Sequence, residues 1–184
     1  AARFELVHLA DADFATMTAN DLPAEARAKL EQLRGDVVTF GQYLDFVRCR
    51  RFRESLLCRA DVVPASVPVP EAVRALLATS AATATASPVD LAEGVEAQFQ
   101  WGDRASLVSG SSLAKATMVA LREQWPGAVA LGPLLARVGA LLGRDPSSDD
   151  AEALQDVLLE AFGMRMVELT ADNWRCTTAV SERP

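Results

Sequence analysis

Gln42-Tyr-Leu-Asp-Phe-Val-Arg-Cys-Arg-Arg-Phe-Arg-Glu-Ser-Leu-Leu-Cys-Arg59 puts five arginines and two cysteines among apolar residues within eighteen positions. The stretch begins on a helix, because Val37, Phe40, Leu44 and Val47 recur at three or four residues and form one apolar stripe. Beyond that stripe the periodicity is ambiguous. On a helix, Arg48, Arg51 and Arg50 spread over adjacent faces, whereas on a strand Arg53 shares a face with Ser55 and Leu57. Five arginines are too many to bury cheaply, since each buried charge needs a partner. Asp45, Glu54, Asp61 and the acidic residues of the last third are the nearest candidates for intramolecular pairing.

Upstream, residues 22–48 read as helical. Asp21 and Pro23 supply a cap and a first-turn proline, Ala28-Lys-Leu-Glu-Gln-Leu33 propagates well, and Gly35 marks a break between two helices. Downstream, Pro64, Pro68 and Pro70 predict an extended connector over 60–70, and Pro70 opens a short helix from Glu71 to Thr79. Ser80 to Pro88, nearly all Ala, Thr and Ser, has little to bury and reads as a strand edge or a linker. Val95, Ala97, Phe99 and Trp101 alternate with Glu96, Gln98 and Gln100, which is the period of a strand. Gly102-Asp103 then forms a two-residue hairpin turn that returns the chain through Ala105 to Ser109.

The last third has the clearest grammar. Ser111 or Ser112 caps a helix with Leu113, Thr117, Leu121 and Trp125 on one face, stopped by Pro126-Gly127. Val129 to Leu131 is briefly extended. Gly132-Pro133 starts a second helix with Leu134, Leu135, Val138 and Leu142, closed by Gly143. Asp149-x-x-Glu152 reads as a capping box for a third, with Leu154, Val157, Leu158 and Phe162, closed by Gly163. Met164 to Leu169 and Trp174 to Val180 alternate as two strands around Ala171-Asp-Asn173. Helix, strand, helix, turn, helix and hairpin is the order of a winged helix. The expected fold is thus α+β and mainly helical: a helical part, a β-hairpin and a winged-helix-like part.

The opening stretch closely resembles the signature of the methyltransferase regulatory domain, a tyrosine, an Asp-Phe pair and Arg-x-x-x-Phe-Arg-x-[ST]-Leu-Leu-Cys. Tyr43, Asp45, Phe46, Arg48, Phe52, Arg53, Ser55, Leu56, Leu57 and Cys58 match it in order. The family often carries His after the cysteine, where this chain has Arg59. The last third is similar to the winged-helix-like domain that follows the regulatory domain in bacterial protein-lysine methyltransferases, as are Leu113-Ala-Lys115 and Trp125-Pro126. The resemblance implies two parts, 1–93 regulatory and 94–184 winged-helix-like. Together they would be a non-catalytic regulatory or substrate-recognition module of a cytoplasmic, S-adenosylmethionine-dependent methyltransferase. The catalytic domain would lie upstream in the same polypeptide, as partner to this module, and a protein would be the possible substrate. The family-matching Arg48 and Arg53 are the expected buried, paired arginines, with Arg50 and Arg51 facing outward. With Tyr43, Asp45, Cys58 and Arg59 they form the candidate interaction and signature set.

Other chemistry is weakly supported. A methyltransferase core needs a glycine-rich turn beside its cofactor, and no G-x-G-x-x-G occurs in these 184 residues. The chain itself is therefore expected to hold no cofactor and to catalyse nothing. Ser109-Gly-Ser-Ser-Leu-Ala-Lys115 lacks the second glycine and the hydroxyl residue of a phosphate loop, so it reads as a helix cap. One histidine, His8, and three cysteines, Cys49, Cys58 and Cys176, make no zinc pattern. Cys58 reads as a small hydrophobe in the run Leu56-Leu57-Cys58. A net charge of −7 disfavours nucleic acid and anionic membranes, and no run of about eighteen apolar residues is present. The third helix, the reading helix of a DNA-binding winged helix, carries Asp149, Asp150, Glu152, Asp156 and Glu160, which phosphates repel. A stand-alone winged-helix regulator that binds protein or DNA is the alternative reading.

Overall fold

Leu77-Ala-Thr79 lies between two other strands, and this placement organises the larger part of the protein. The structure, a computed structural model, describes residues 4–19, 22–62, 69–103 and 105–172. Its described residues form two compact units that divide between Val67 and Pro68. The architecture mixes α and β: five α-helices, two 3-10 turns and eight short strands in small antiparallel sheets, among the described residues.

In the first unit, β1 (Leu6–Asp11) pairs antiparallel with β2 (Ser55–Arg59). His8 lies opposite Leu57 and Ala10 opposite Leu56, so Leu9 is an extra residue that bulges the strand. A 3-10 turn, Phe14–Met17, follows under an Asp13 cap. Two helices come next, α1 (Ala24–Glu31) and α2 (Val37–Val47), with the expected break between them. Asp21 lies outside the described residues, and Pro23 occupies the cap position of α1 without a side-chain bond. The cap that sequence reading missed is Asp36, whose carboxylate accepts from the amides of Val38 and Thr39 and starts α2. The core of this unit is small: Ala19, Leu30 and Leu44, with Leu22 and Phe40 against them.

The second unit opens on a 3-10 turn, Pro70–Ala75, and then β3 (Leu77–Thr79). This replaces the helix expected from Glu71 to Thr79. Pairing with β7 (Val129–Ala130) on one side and β8 (Glu168–Thr170) on the other takes residues 77–79 out of any helix, a tertiary choice that overrides local propensity. The Ser80–Pro88 stretch does bury residues. Ser80 and Ala82 are inaccessible, and the Ser80 hydroxyl donates to the Met166 carbonyl at 2.6 Å. β4 (Thr83–Ala84) then forms the edge of a sheet with β5 (Ala97–Trp101) and β6 (Ala105–Ser109). Trp101 stands opposite Ala105, leaving three residues between them where a two-residue turn was expected.

Three helices fill the rest: α3 (Ser112–Gln124), α4 (Leu131–Leu142) and α5 (Ser148–Gly163). Ser111 caps α3, and Gly143 ends α4 in the left-handed conformation, φ 67°, that glycine adopts without a Cβ clash. The capping box of α5 is Ser147 with Asp150, two residues ahead of the expected Asp149–Glu152. Leu121, Leu134, Leu154, Leu158, Met166 and Phe99 lie together in one large core. Trp125 is 40% exposed and closes α3, so the buried face of α3 is wider than the stripe expected and ends before it.

Two further expectations change. The first strand of the expected terminal hairpin, Met164–Leu169, is the shorter β8, preceded by a turn with Arg165 at φ 60°. Its described partner is β3, while Trp174–Val180 lies outside the described residues. The division expected at 93/94 falls inside the second unit, because β3 and β4 join its sheets.

Candidate interaction site

The geometry of the arginine-rich stretch follows from how α2 ends. Arg48 terminates the helix and Cys49 adopts φ 50°, a left-handed turn that costs a residue with a Cβ some strain. This turn brings the following residues back against the helix, where Arg50 and Arg53 both meet Asp45. Gly41 makes room for the return. A Cβ added there would stand 2.7 Å from Arg53 Nη2, so the guanidinium lies directly on the helix backbone.

Four charges then alternate. Arg50 Nη1 donates to Asp11 Oδ2 at 2.7 Å and lies 3.6 Å from Asp45 Oδ1, and Arg53 Nε donates to Asp45 Oδ2 at 2.7 Å. Arg50 Nε also donates to the Phe52 carbonyl at 2.9 Å, which fixes the returning chain. The Arg50 and Asp11 side chains are only 15% and 5% exposed, so this pair sits largely out of water. Arg48 donates to the Thr16 and Thr18 carbonyls, each at 2.7 Å, and so ties the 3-10 turn to the end of α2. Asp11 further accepts from the Thr16 hydroxyl at 3.4 Å and has His8 Nε2 at 3.4 Å from its other oxygen.

The electrostatics are those of a clamp. Burial opposes ionisation of Asp11, but the hydrogen bond and charge of Arg50 outweigh it and hold the carboxyl below its ordinary value. Ionised and held between fixed donors, Asp11 serves in this cluster as a counter-ion. What the cluster does is join β1, the 3-10 turn and α2 through charge-assisted bonds.

The expected burial of the arginines is therefore corrected. Arg50, expected to face outward, is only 15% exposed, whereas Arg53, expected buried, is about a third exposed and is hydrogen-bonded to Asp45. Arg48 is engaged as expected, although with backbone carbonyls. Arg51 faces solvent. Arg59 is exposed and paired with Asp61, Nε to Oδ1 at 3.0 Å. Cys58 is half-buried on β2 opposite Val7, a free thiol, and Cys49 is exposed. Tyr43 is exposed and packs edge-to-face on Phe46, with centroids 6.5 Å apart. Sequence reading missed Asp11 as the principal acceptor, because nothing local joins it to a residue 39 positions away.

In the second unit, Lys115 is fully buried and donates to the Ala92 and Val95 carbonyls at 2.6 Å each. The Ser109–Lys115 segment is thus a helix cap followed by an inward-turned lysine. On α5, Asp149, Glu152, Asp156 and Glu160 are exposed, and Asp150 is bound by Arg144 and Ser147, which depress its pKa.

The arginine turn, with its Tyr43–Phe46 pair and Leu-Leu-Cys strand, lies inside a stretch that is similar to a known family. Residues 1–59 match the predicted methyltransferase regulatory domain. The regulatory-domain match thus contains all eight candidate residues. A 62-residue stretch, 34% of the chain, is 37% identical to the uncharacterised protein RP789 of Rickettsia prowazekii (strain Madrid E), covering 11% of that protein. Across 98% of the chain the fold is similar to the structure of PKMT2 from Rickettsia typhi, with a TM-score of 0.74 and 21% identity, covering 36% of that structure's chain. PKMT2 in complex with AdoHcy gives the same TM-score at 20% identity. At such identity the likeness is one of fold. The chain spans about a third of the length of those structures and about a tenth of the Rickettsia prowazekii relative.

Proposed function

We propose that this chain is a non-catalytic regulatory or substrate-recognition module of an S-adenosylmethionine-dependent methyltransferase. The observation that carries the reading is the regulatory-domain match at residues 1–59, within a chain whose fold follows one third of a methyltransferase structure. In this reading the catalytic domain is part of the same cytoplasmic polypeptide and holds the cofactor, and the methyl acceptor is a protein. The first unit is the regulatory part. Residues 68–184 are the winged-helix-like part, with α3, β7, α4, α5 and β8 in that order. In this reading the boundary between the two parts is taken at 67/68, where the chain divides into compact units, and not at 93/94.

The chemistry of the two units supports a positioning role. The charge clamp holds a turn, and Lys115 is committed to two carbonyls. The exposed acids of α5 favour a protein role for the winged-helix-like part over DNA, whose phosphates such a helix repels. Calorimetric titration tests the reading directly. The full-length protein should bind S-adenosylmethionine and the 184-residue chain should not. Micromolar binding by the 184-residue chain alone, or none by the full-length protein, defeats it.

A further inference from the structure

We infer that the outer face of α2, with Phe52 just beyond it, is the surface on which the methyltransferase domain of the same polypeptide docks. The inference rests on the module reading above and names the surface that reading requires. α2 is apolar on both sides. Leu44 and Phe40 face the small core with Leu30 and Ala19. On the opposite side Val38, Tyr43 and Phe46 are exposed, Phe46 to 79%, and Phe52 is 86% exposed. This outer face also carries Thr39 and the exposed Gln42, so it is an aromatic patch interrupted by polar groups, and a contiguous exposed patch of that kind marks an interaction surface.

The polar groups nearby are already satisfied within the unit. Arg50, Arg53 and Asp45 pair with one another and with Asp11, and Arg48 is bonded to two carbonyls. The free binding capacity of this face is therefore its aromatic and aliphatic surface, and the complementary partner is an apolar cleft. Tyr43 and Phe46, already in edge-to-face contact, form a preassembled aromatic anchor of the kind that dominates interfaces.

Three observations select the occupant. The whole face lies within residues 1–59, the segment that matches the predicted methyltransferase regulatory domain. The matching fold accounts for only 36% of the PKMT2 chain, which leaves a further 64% of polypeptide to cover such a surface. A second copy is disfavoured by charge, since each chain carries −7.

The test uses the full-length protein, with Phe46 replaced by the photoreactive residue p-benzoylphenylalanine. Phe46 is exposed and outside the core, so the replacement leaves folding intact. Irradiation followed by peptide mass spectrometry should give cross-links to the methyltransferase domain. Cross-links to residues 68–184, to a second copy, or to nothing, in a protein that binds S-adenosylmethionine, overturn the docking surface and leave the module reading standing. Absence of S-adenosylmethionine binding by the full-length protein overturns both. A Phe46→Asp, Phe52→Asp protein provides the independent check. Methyl transfer should fall at least about tenfold, as for loss of an interface anchor, while cofactor affinity and the amide NMR signals of residues 1–62 stay as in wild type. Unaltered transfer overturns the inference.

Discussion

The two units invert each other's construction. Among the described residues, the core of the second holds sixteen apolar side chains and α5 shows acids, whereas the core of the first holds three and its shape is held by a chain of charges. Ten of the fourteen exposed large hydrophobics among the described residues belong to the first unit. A unit with so little core lacks the hydrophobic stabilisation that carries ordinary small domains. Its charge-assisted bonds fix geometry, and its apolar surface is left for something else to cover. The contrast predicts that the first unit breaks when a charge is removed and the second when a cavity is made.

The chain carries its own reporters for this test. Tyr43, its single tyrosine, lies in the first unit, and Trp101 and Trp125 lie edge-to-face in the second. Arg50→Ala should have the largest effect, about 3–5 kcal/mol, because it strands the buried Asp11 carboxylate. The loss should appear in the Tyr43 ring signals by NMR and leave the tryptophan melt in place. A variant that melts like wild type at both probes refutes the clamp. Acid should act on the same pair. The folded pKa of Asp11 lies below its ordinary 3.8, so the pair's contribution is complete above that value and is lost as pH falls through the folded pKa. Asp11→Asn should remove this acid-dependent step.

Leu158→Ala should cost about 2–5 kcal/mol through the cavity it opens, and here the tryptophan signal should move while Tyr43 stays. Ser147→Ala, which removes the cap of α5, should cost about 1 kcal/mol in a urea titration followed by tryptophan fluorescence. Arg53→Ala should cost only about 0.2–1 kcal/mol, since both partners of its pair are partly exposed. A cost near that of Arg50→Ala would restore Arg53 as the buried member. The smallest effect belongs to Arg51→Ala, whose solvent-facing side chain should leave both melting transitions within about 0.5 kcal/mol of wild type.

Much of the secondary structure was legible because its signals are local. The break near Gly35, the β5 strand at Ala97–Trp101, the Ser111 cap and the Gly143 stop each depend on residues within a few positions of one another. The signature of residues 42–59 was legible for the same reason, and the match at 1–59 bears out the resemblance. The apolar outer face of α2 was also present in the sequence, at Val38, Tyr43 and Phe46, on the side opposite the stripe that drew attention first.

What the sequence determined by itself was the kind of element at most positions and the resemblance of the arginine turn to the methyltransferase regulatory domain. Three things needed the tertiary structure. Leu77-Ala-Thr79 became a strand only because β7 and β8 flank it. The boundary between units moved for the same reason, and Arg50 displaced Arg53 as the buried cation because Asp11 arrives on β1, 39 positions earlier. The physical reason is common to all three. Periodicity, caps and turns are set by neighbours along the chain, whereas a sheet partner or a counter-ion is chosen by whatever the folded chain brings within hydrogen-bonding distance.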